Sequence, residues 1–130
     1  QGVIEGYLQQ SRPSSLGPVW EETKNTNGLY ASTAWKRLEK SQMATYLRCH
    51  PKTGRTHQIR VHLASMGHPI IGDRRYGCLE AQYSWASRFF LHAECLEFIH
   101  PITKRPISVR APLPEDFRQA MERLKICRAF

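Results

Sequence analysis

The stretch Thr53-Gly54-Arg55-Thr56-His57-Gln58-Ile59-Arg60-Val61-His62, followed by Gly67-His68-Pro69-Ile70-Ile71-Gly72-Asp73-Arg74-Arg75-Tyr76-Gly77, decides how this chain is read. It gathers guanidinium forks, imidazoles and four of the eight glycines within residues 53–77. An arginine fork matches a phosphate or a carboxylate through two parallel hydrogen bonds. Such crowding points to an anion site or a buried carboxylate rather than a plain surface loop.

The spacing predicts a helix over 56–66. Thr56 is placed to cap it. Ile59, His62, Leu63 and Met66 recur at i, i+3, i+4, i+7, the period of one buried helical face. Gly67 stops the helix and Pro69 cannot continue it. Upstream, Ala34–Glu39 and Met43–Cys49 alternate with period two and read as a hairpin turning at Lys40-Ser41-Gln42. Pro51 to Gly54 end its second strand. Downstream, 68–88 reads as irregular. A second hairpin is predicted from Leu91–Ile99 and Pro106–Arg110, turning at His100–Lys104. Pro114-Glu115-Asp116 opens a last helix, with acids at its positive end and Phe117, Ala120, Met121 and Leu124 as its buried stripe.

Gly2 to Leu8 alternate as a short strand. Residues 9–33 are rich in Ser, Pro, Asn and Gly and read as a long loop, pinned by Leu16 and Trp20. The order is therefore strand, loop, hairpin, helix, hairpin, helix. It predicts one α+β domain over 1–130, with a mixed or antiparallel sheet and flanking helices.

At 130 residues the chain can bury a modest core. A hydrophobic content of 41% is that of a folded domain rather than a disordered one. The net charge of +8 is carried mostly by arginine, so nucleic acid is the first partner to consider. The plainer reading of such a balance is a soluble basic surface. Cys49, Cys78, Cys95 and Cys127 lie far apart with no C-x-x-C pair, which excludes the usual zinc spacing. No signal peptide or membrane-length apolar run is seen, so reduced thiols, a cytoplasmic location and no membrane partner are expected. Cys49 and Cys95 read as small core residues.

Each charged candidate has a bland and a sharp reading. Arg55 and Arg60 are surface charges on the first. On the second, Arg60, with small Thr56 and Ala64 on its face, reaches a carboxylate and fixes its orientation. His57 and His62 are five apart and do not share a helix face, so they are not a metal pair; a hydrogen-bonded structural role suits both. Gln58 can read a base edge or a phosphate, or cap a strand. Asp73, in turn context, is an acceptor for an arginine rather than a catalytic group. Arg74 and Arg75 read as phosphate contacts, and Lys104 and Arg105 as solvated hairpin-tip charges.

These residues together resemble the RluA family of RNA pseudouridine synthases. The resemblance is carried by Thr53 to His62, by Gly67 to Asp73 with Tyr76-Gly77, and by Ala31-Ser32-Thr33-Ala34-Trp35. Leu91-His92-Ala93 with Leu96, and Gly2-Val3-Ile4-Glu5, extend it over nearly the whole chain. It implies isomerisation of uridine to pseudouridine in ribosomal or transfer RNA, with RNA as partner and with no cofactor and no metal. In the family a catalytic Asp lies in an H-R-L-D-x-x-T-S-G block and a base-stacking Tyr in a K-x-Y-x-A block, both upstream of the segment where this chain starts. Only two aspartates occur here, Asp73 and Asp116, and neither has that context. The resemblance therefore implies the C-terminal half of a catalytic domain, missing its N-terminal half and inactive alone. Arg60 matches the arginine that pairs with the catalytic Asp. Arg55, His57 and Gln58 match the same block as cleft residues, and Leu91 matches an apolar residue near the target base. Unpaired sheet edges would favour self-association.

Two other classes compete with this reading. A non-catalytic RNA-binding module on the same scaffold differs only in a degraded upstream block. A helix-turn-helix DNA binder requires two consecutive helices, which the strand-rich pattern after residue 88 opposes.

Overall fold

Residues 1–11, 15 and 17–126 are described by a computed structural model. Strand β1 (Gly2–Gln10) runs antiparallel to β3 (Leu29–Lys40), with Gly6 opposite Ala31 and Leu8 opposite Leu29. Strand β2 (Trp20–Thr23) lines the other edge of β1, and β4 (Thr45–Pro51) lines β3. The sheet order is β2-β1-β3-β4, antiparallel throughout. The β3–β4 hairpin is closed by Ser41. Its N–H donates to the Ala44 carbonyl at 2.9 Å, and its hydroxyl oxygen accepts from the N–H groups of Met43 and Ala44.

The loop expected over 9–33 is corrected here. It contains all of β2 and the first residues of β3. Two glutamates weaken the strand preference of Trp20-Glu21-Glu22-Thr23, and the free edge of β1 supplies the ladder that orders it. Trp20 does pin the segment, packing against Leu8, Ala31 and Val61. Leu16 lies outside the described residues.

Helix α1 (Gln58–Ser65) crosses one face of this sheet. The expected cap at Thr56 is not used. The capping position is His57, in the left-handed region at φ 53, with no side-chain cap. Its buried residues are Gln58, Val61, His62 and Leu63, whereas Ile59 is half-buried and Met66 exposed. The expected stripe holds at His62 and Leu63 and departs at Ile59 and Met66, because α1 packs on the polar Ser32 and Thr33 of β3. There Ser32 and Thr33 select a buried glutamine and a buried histidine. Gly67 ends the helix at φ +77, as expected, with the His68 N–H returning to the Leu63 carbonyl.

Residues 68–88 are irregular apart from 3-10 turns at Arg74–Tyr76 and Ala81–Tyr83. Strands β5 (Cys95–Ile99) and β6 (Pro106–Arg110) form a separate antiparallel ribbon, shorter at its start than the expected Leu91–Ile99. Helix α2 (Glu115–Arg123) buries Phe117, Ala120 and Met121, joined by Leu124 and Ile126, against Tyr46, Trp85 and Phe90. A second, smaller core of Leu8, Ala31 and Val61 lies between sheet and α1. Cys95 is exposed and Cys49 only half-buried, so neither is the core residue that its apolar run suggested. The ribbon of β5 and β6 has little packed against it. Cys127 lies outside the described residues.

Candidate active site

Asp73 and Arg60 form the centre of the site. Asp73 precedes the 3-10 turn and caps it by accepting from the Tyr76 N–H at 3.3 Å. Gly72 just before it sits at φ +84, and a Cβ there would run into the Arg88 carbonyl, so only glycine brings the chain through. The Asp73 carboxylate is 1% exposed and receives both Nε (2.7 Å) and Nη2 (2.9 Å) of Arg60. The Arg60 guanidinium also lies 4.3 Å from the centre of the Phe89 ring and 4.8 Å from that of Tyr76. Two aromatic faces and a bidentate carboxylate hold it in one plane. The hydrogen bonds from Arg60 to Asp73 raise its already high pKa further, so it is a fixed cation.

Asp73 is thus the arginine acceptor that its turn context suggested, and it supplies Arg60 with a carboxylate from within the chain. A buried guanidinium without an anion is costly, and the turn that Asp73 caps brings its carboxylate within reach. One edge of the fork stays free: Nη1 bonds to no acceptor among the described residues.

His57 stands beside this pair. Its Nδ1 lies 2.8 Å from the Tyr76 hydroxyl, with the two rings edge to face. Burial, then the charges of Arg60 and Arg75, lower its pKa against an opposing pull from Asp73. The imidazole is therefore neutral near pH 7. Arg55 is exposed, its Nε bonded to the Tyr30 carbonyl at 2.9 Å. Arg75 is half-buried, with Nη2 on the Pro18 carbonyl and a buried Nε that has no partner among the described residues.

Gln58 is turned into the fold. It is 4% exposed, and its amide nitrogen donates to the Ser32 carbonyl and to Thr33 Oγ1, both at 2.9 Å. Its amide oxygen accepts from Thr53 Oγ1 and from the Arg55 N–H. With both ends of the amide used inside, Gln58 clamps the 53–55 turn to β3, which is the strand-capping alternative rather than a substrate contact. His62 is fully buried, with Nδ1 2.9 Å from Thr33 Oγ1, and burial lowers its pKa against a weaker opposing pull from Glu22. Arg74 turns to the Ser84 carbonyl and lines a separate cavity of about 230 Å³ with Cys78, Leu79, Glu80 and Tyr83. Leu91 is half-buried two residues beyond Phe89, its N–H on the Phe89 carbonyl. The structure thus gathers Arg60, His57 and Arg75 around Tyr76 and leaves Arg74 elsewhere. Tyr76 and Phe89 had no assigned role in the sequence reading, since stacking on a guanidinium leaves no local sequence pattern. Among the described residues, no group of three or more His, Cys, Asp or Glu could hold a metal ion.

The fold, an antiparallel sheet crossed by α1, is shared with solved pseudouridylate synthase domains. The solved human RNA pseudouridylate synthase domain containing 4 matches with a TM-score of 0.72 at 22% identity, over 98% of this chain and 57% of its own. Human RNA pseudouridylate synthase domain containing 1 matches with a TM-score of 0.67 at 25% identity, over 95% and 58%. Residues 9–65 match the family model described as RNA pseudouridylate synthase. The ribosomal large subunit pseudouridine synthase C of Vibrio cholerae is 42% identical over 128 residues, 95% of this chain and 39% of that protein. Its namesake in Escherichia coli K12 is 42% identical over 107 residues, 78% of this chain and 34% of that protein. The chain belongs to the RluA family of RNA pseudouridine synthases. It spans well under half the length of these curated relatives.

Proposed function

We propose that this chain is the C-terminal part of a pseudouridine synthase catalytic domain, which in the complete protein isomerises uridine to pseudouridine in RNA. The observation that carries this reading is the geometry of Arg60. Asp73 and two aromatic rings fix its plane, while Nη1, with no acceptor among the described residues, is left for a second carboxylate on this reading. A catalytic Asp bonded there would be held ionised and oriented, because an adjacent guanidinium favours the charged carboxylate. Asp73 itself is enclosed and fully engaged, so it is a structural acid and not the catalytic one. The Vibrio cholerae and Escherichia coli relatives are named ribosomal large subunit pseudouridine synthases, which supports ribosomal RNA as substrate. Arg55, Arg75 and the net charge of +8 support an RNA backbone lying along this face.

The 130-residue chain alone does not catalyse the reaction on this reading. Incubation of the purified chain with a uridine-containing transcript should yield no pseudouridine, and product above background refutes the assignment. In the complete enzyme, Arg60→Ala should lower turnover far more than RNA affinity. A loss confined to affinity would contradict the proposed role.

A further inference from the structure

We propose that Tyr76 is a positioning residue that locks His57 as a neutral Nε2–H donor facing the cleft, where it meets a carbonyl oxygen of a pyrimidine base. The proposal rests on the RNA reading above and goes beyond it in naming the donor, its tautomer and the acceptor. The Tyr76 hydroxyl has two neighbours. Its oxygen accepts the Trp20 backbone N–H at 3.2 Å, and it lies 2.8 Å from His57 Nδ1. A phenol has one proton to give, and of these two neighbours only the imidazole nitrogen can accept it. Donation to Nδ1 satisfies every group, so the ring proton sits on Nε2. That nitrogen has no protein partner among the described residues, yet it is not sealed from solvent.

The backbone adds an independent sign. His57 is held in the left-handed region at φ 53 and caps nothing with its side chain. Strain of this kind persists where surrounding contacts impose it, and it gathers at functional positions. Here it delivers the imidazole to Tyr76, whose ring also covers Arg60. The charged and titratable groups acting on His57 are Arg60, Arg75, Asp73 and Tyr76. The two cations outweigh the one carboxylate and oppose protonation. A phosphate would recruit an imidazolium, whereas a neutral N–H matches an uncharged carbonyl.

The test is long-range proton–nitrogen NMR on the labelled 130-residue chain at pH 7. Nδ1 of His57 should show the shift of an unprotonated acceptor and Nε2 that of a protonated nitrogen. Tyr76→Phe keeps the ring over Arg60 but removes the hydroxyl, so it should give a mixture of tautomers. Oligouridylate should move the Nε2 resonance while the ring stays neutral, and an abasic phosphodiester oligomer should not. Tyr76→Phe should weaken oligouridylate binding about twofold, because a mixture leaves about half of the rings in the donor tautomer. An Nδ1–H tautomer in the unaltered chain overturns the proposal without recourse to any variant. So does an imidazolium formed on adding oligouridylate, or an equal response to the abasic oligomer. If oligouridylate moves no resonance near Arg55 or Arg60 either, the RNA reading falls and the donor role with it, while the tautomer measurement stands by itself.

Discussion

Replacing Asp73 by Asn tests whether the Arg60–Asp73 pair organises the site. The carboxylate is 1% exposed and the Arg60 side chain 12% exposed, with donor distances of 2.7 and 2.9 Å. Asn has nearly the same shape but removes the charge, and its amide hydrogens face the guanidinium. Breaking a buried ion pair by removing one partner costs about 3–5 kcal/mol. The flanking rings and the open Nη1 edge let Arg60 recover some solvation, which places the expected loss near the bottom, about 3 kcal/mol. With a urea slope of about 2 kcal/mol per molar, the unfolding midpoint should fall by about 1.5 M at unchanged slope. The double replacement Arg60→Met with Asp73→Leu should recover much of the loss, because apolar residues of similar volume leave no charge unpaired. A midpoint drop below about 0.3 M for Asp73→Asn alone, at about the same slope, would refute the view that this pair is a desolvated, organising contact.

Gly72→Ala should lower thermal stability by about 1–3 kcal/mol, since φ is +84 and the added Cβ meets the Arg88 carbonyl; an unchanged melting temperature contradicts the required close approach. His62, neutral and buried, has a folded pKa below its unfolded value of about 6.5. Its contribution is fully present above that value and is lost as pH falls from about 6.5 toward the folded pKa, because the unfolded state binds the proton first. Urea midpoints measured from pH 7.5 to 5 should therefore fall, and His62→Gln should flatten the profile; an equal slope in both proteins assigns the loss to other groups. The β5–β6 ribbon exposes Leu96, Phe98, Ile99 and Val109, and β2 and β4 each pair on one side only. Sedimentation velocity should show association rising with concentration and weakening in Phe98→Lys with Val109→Lys. A strictly monomeric chain at high concentration speaks against it.

Periodicity and turn chemistry carried most of the element order. The β3–β4 hairpin closes at Ser41 because Met43 to Cys49 alternate after a short polar turn, and α1 stops at Gly67 because only a residue at ease with positive φ ends it there. The stripe of α2 was equally legible, since Phe117, Met121 and Leu124 face one core and Ala120 is buried as well. Strand β2 was not, because a four-residue edge strand with two glutamates owes its order to β1.

The residues of the site were visible as types in a pattern, and their ordered spacing from Thr53 to His62 was enough for the family. Their roles needed three dimensions. Gln58 and Arg60 are two residues apart, yet one is sealed under Ser32 and Thr33 while the other lies between two rings. Helical geometry sends neighbouring side chains to different faces, and only the packing of α1 on β3 decides which face is wet. Sequence by itself determined the family, the charge and the presence of an arginine in need of a carboxylate. Tertiary structure decided that Asp73 supplies one and that Tyr76 joins Arg60 to His57, because these contacts span 13 to 19 residues of chain and are set by packing rather than by local pattern.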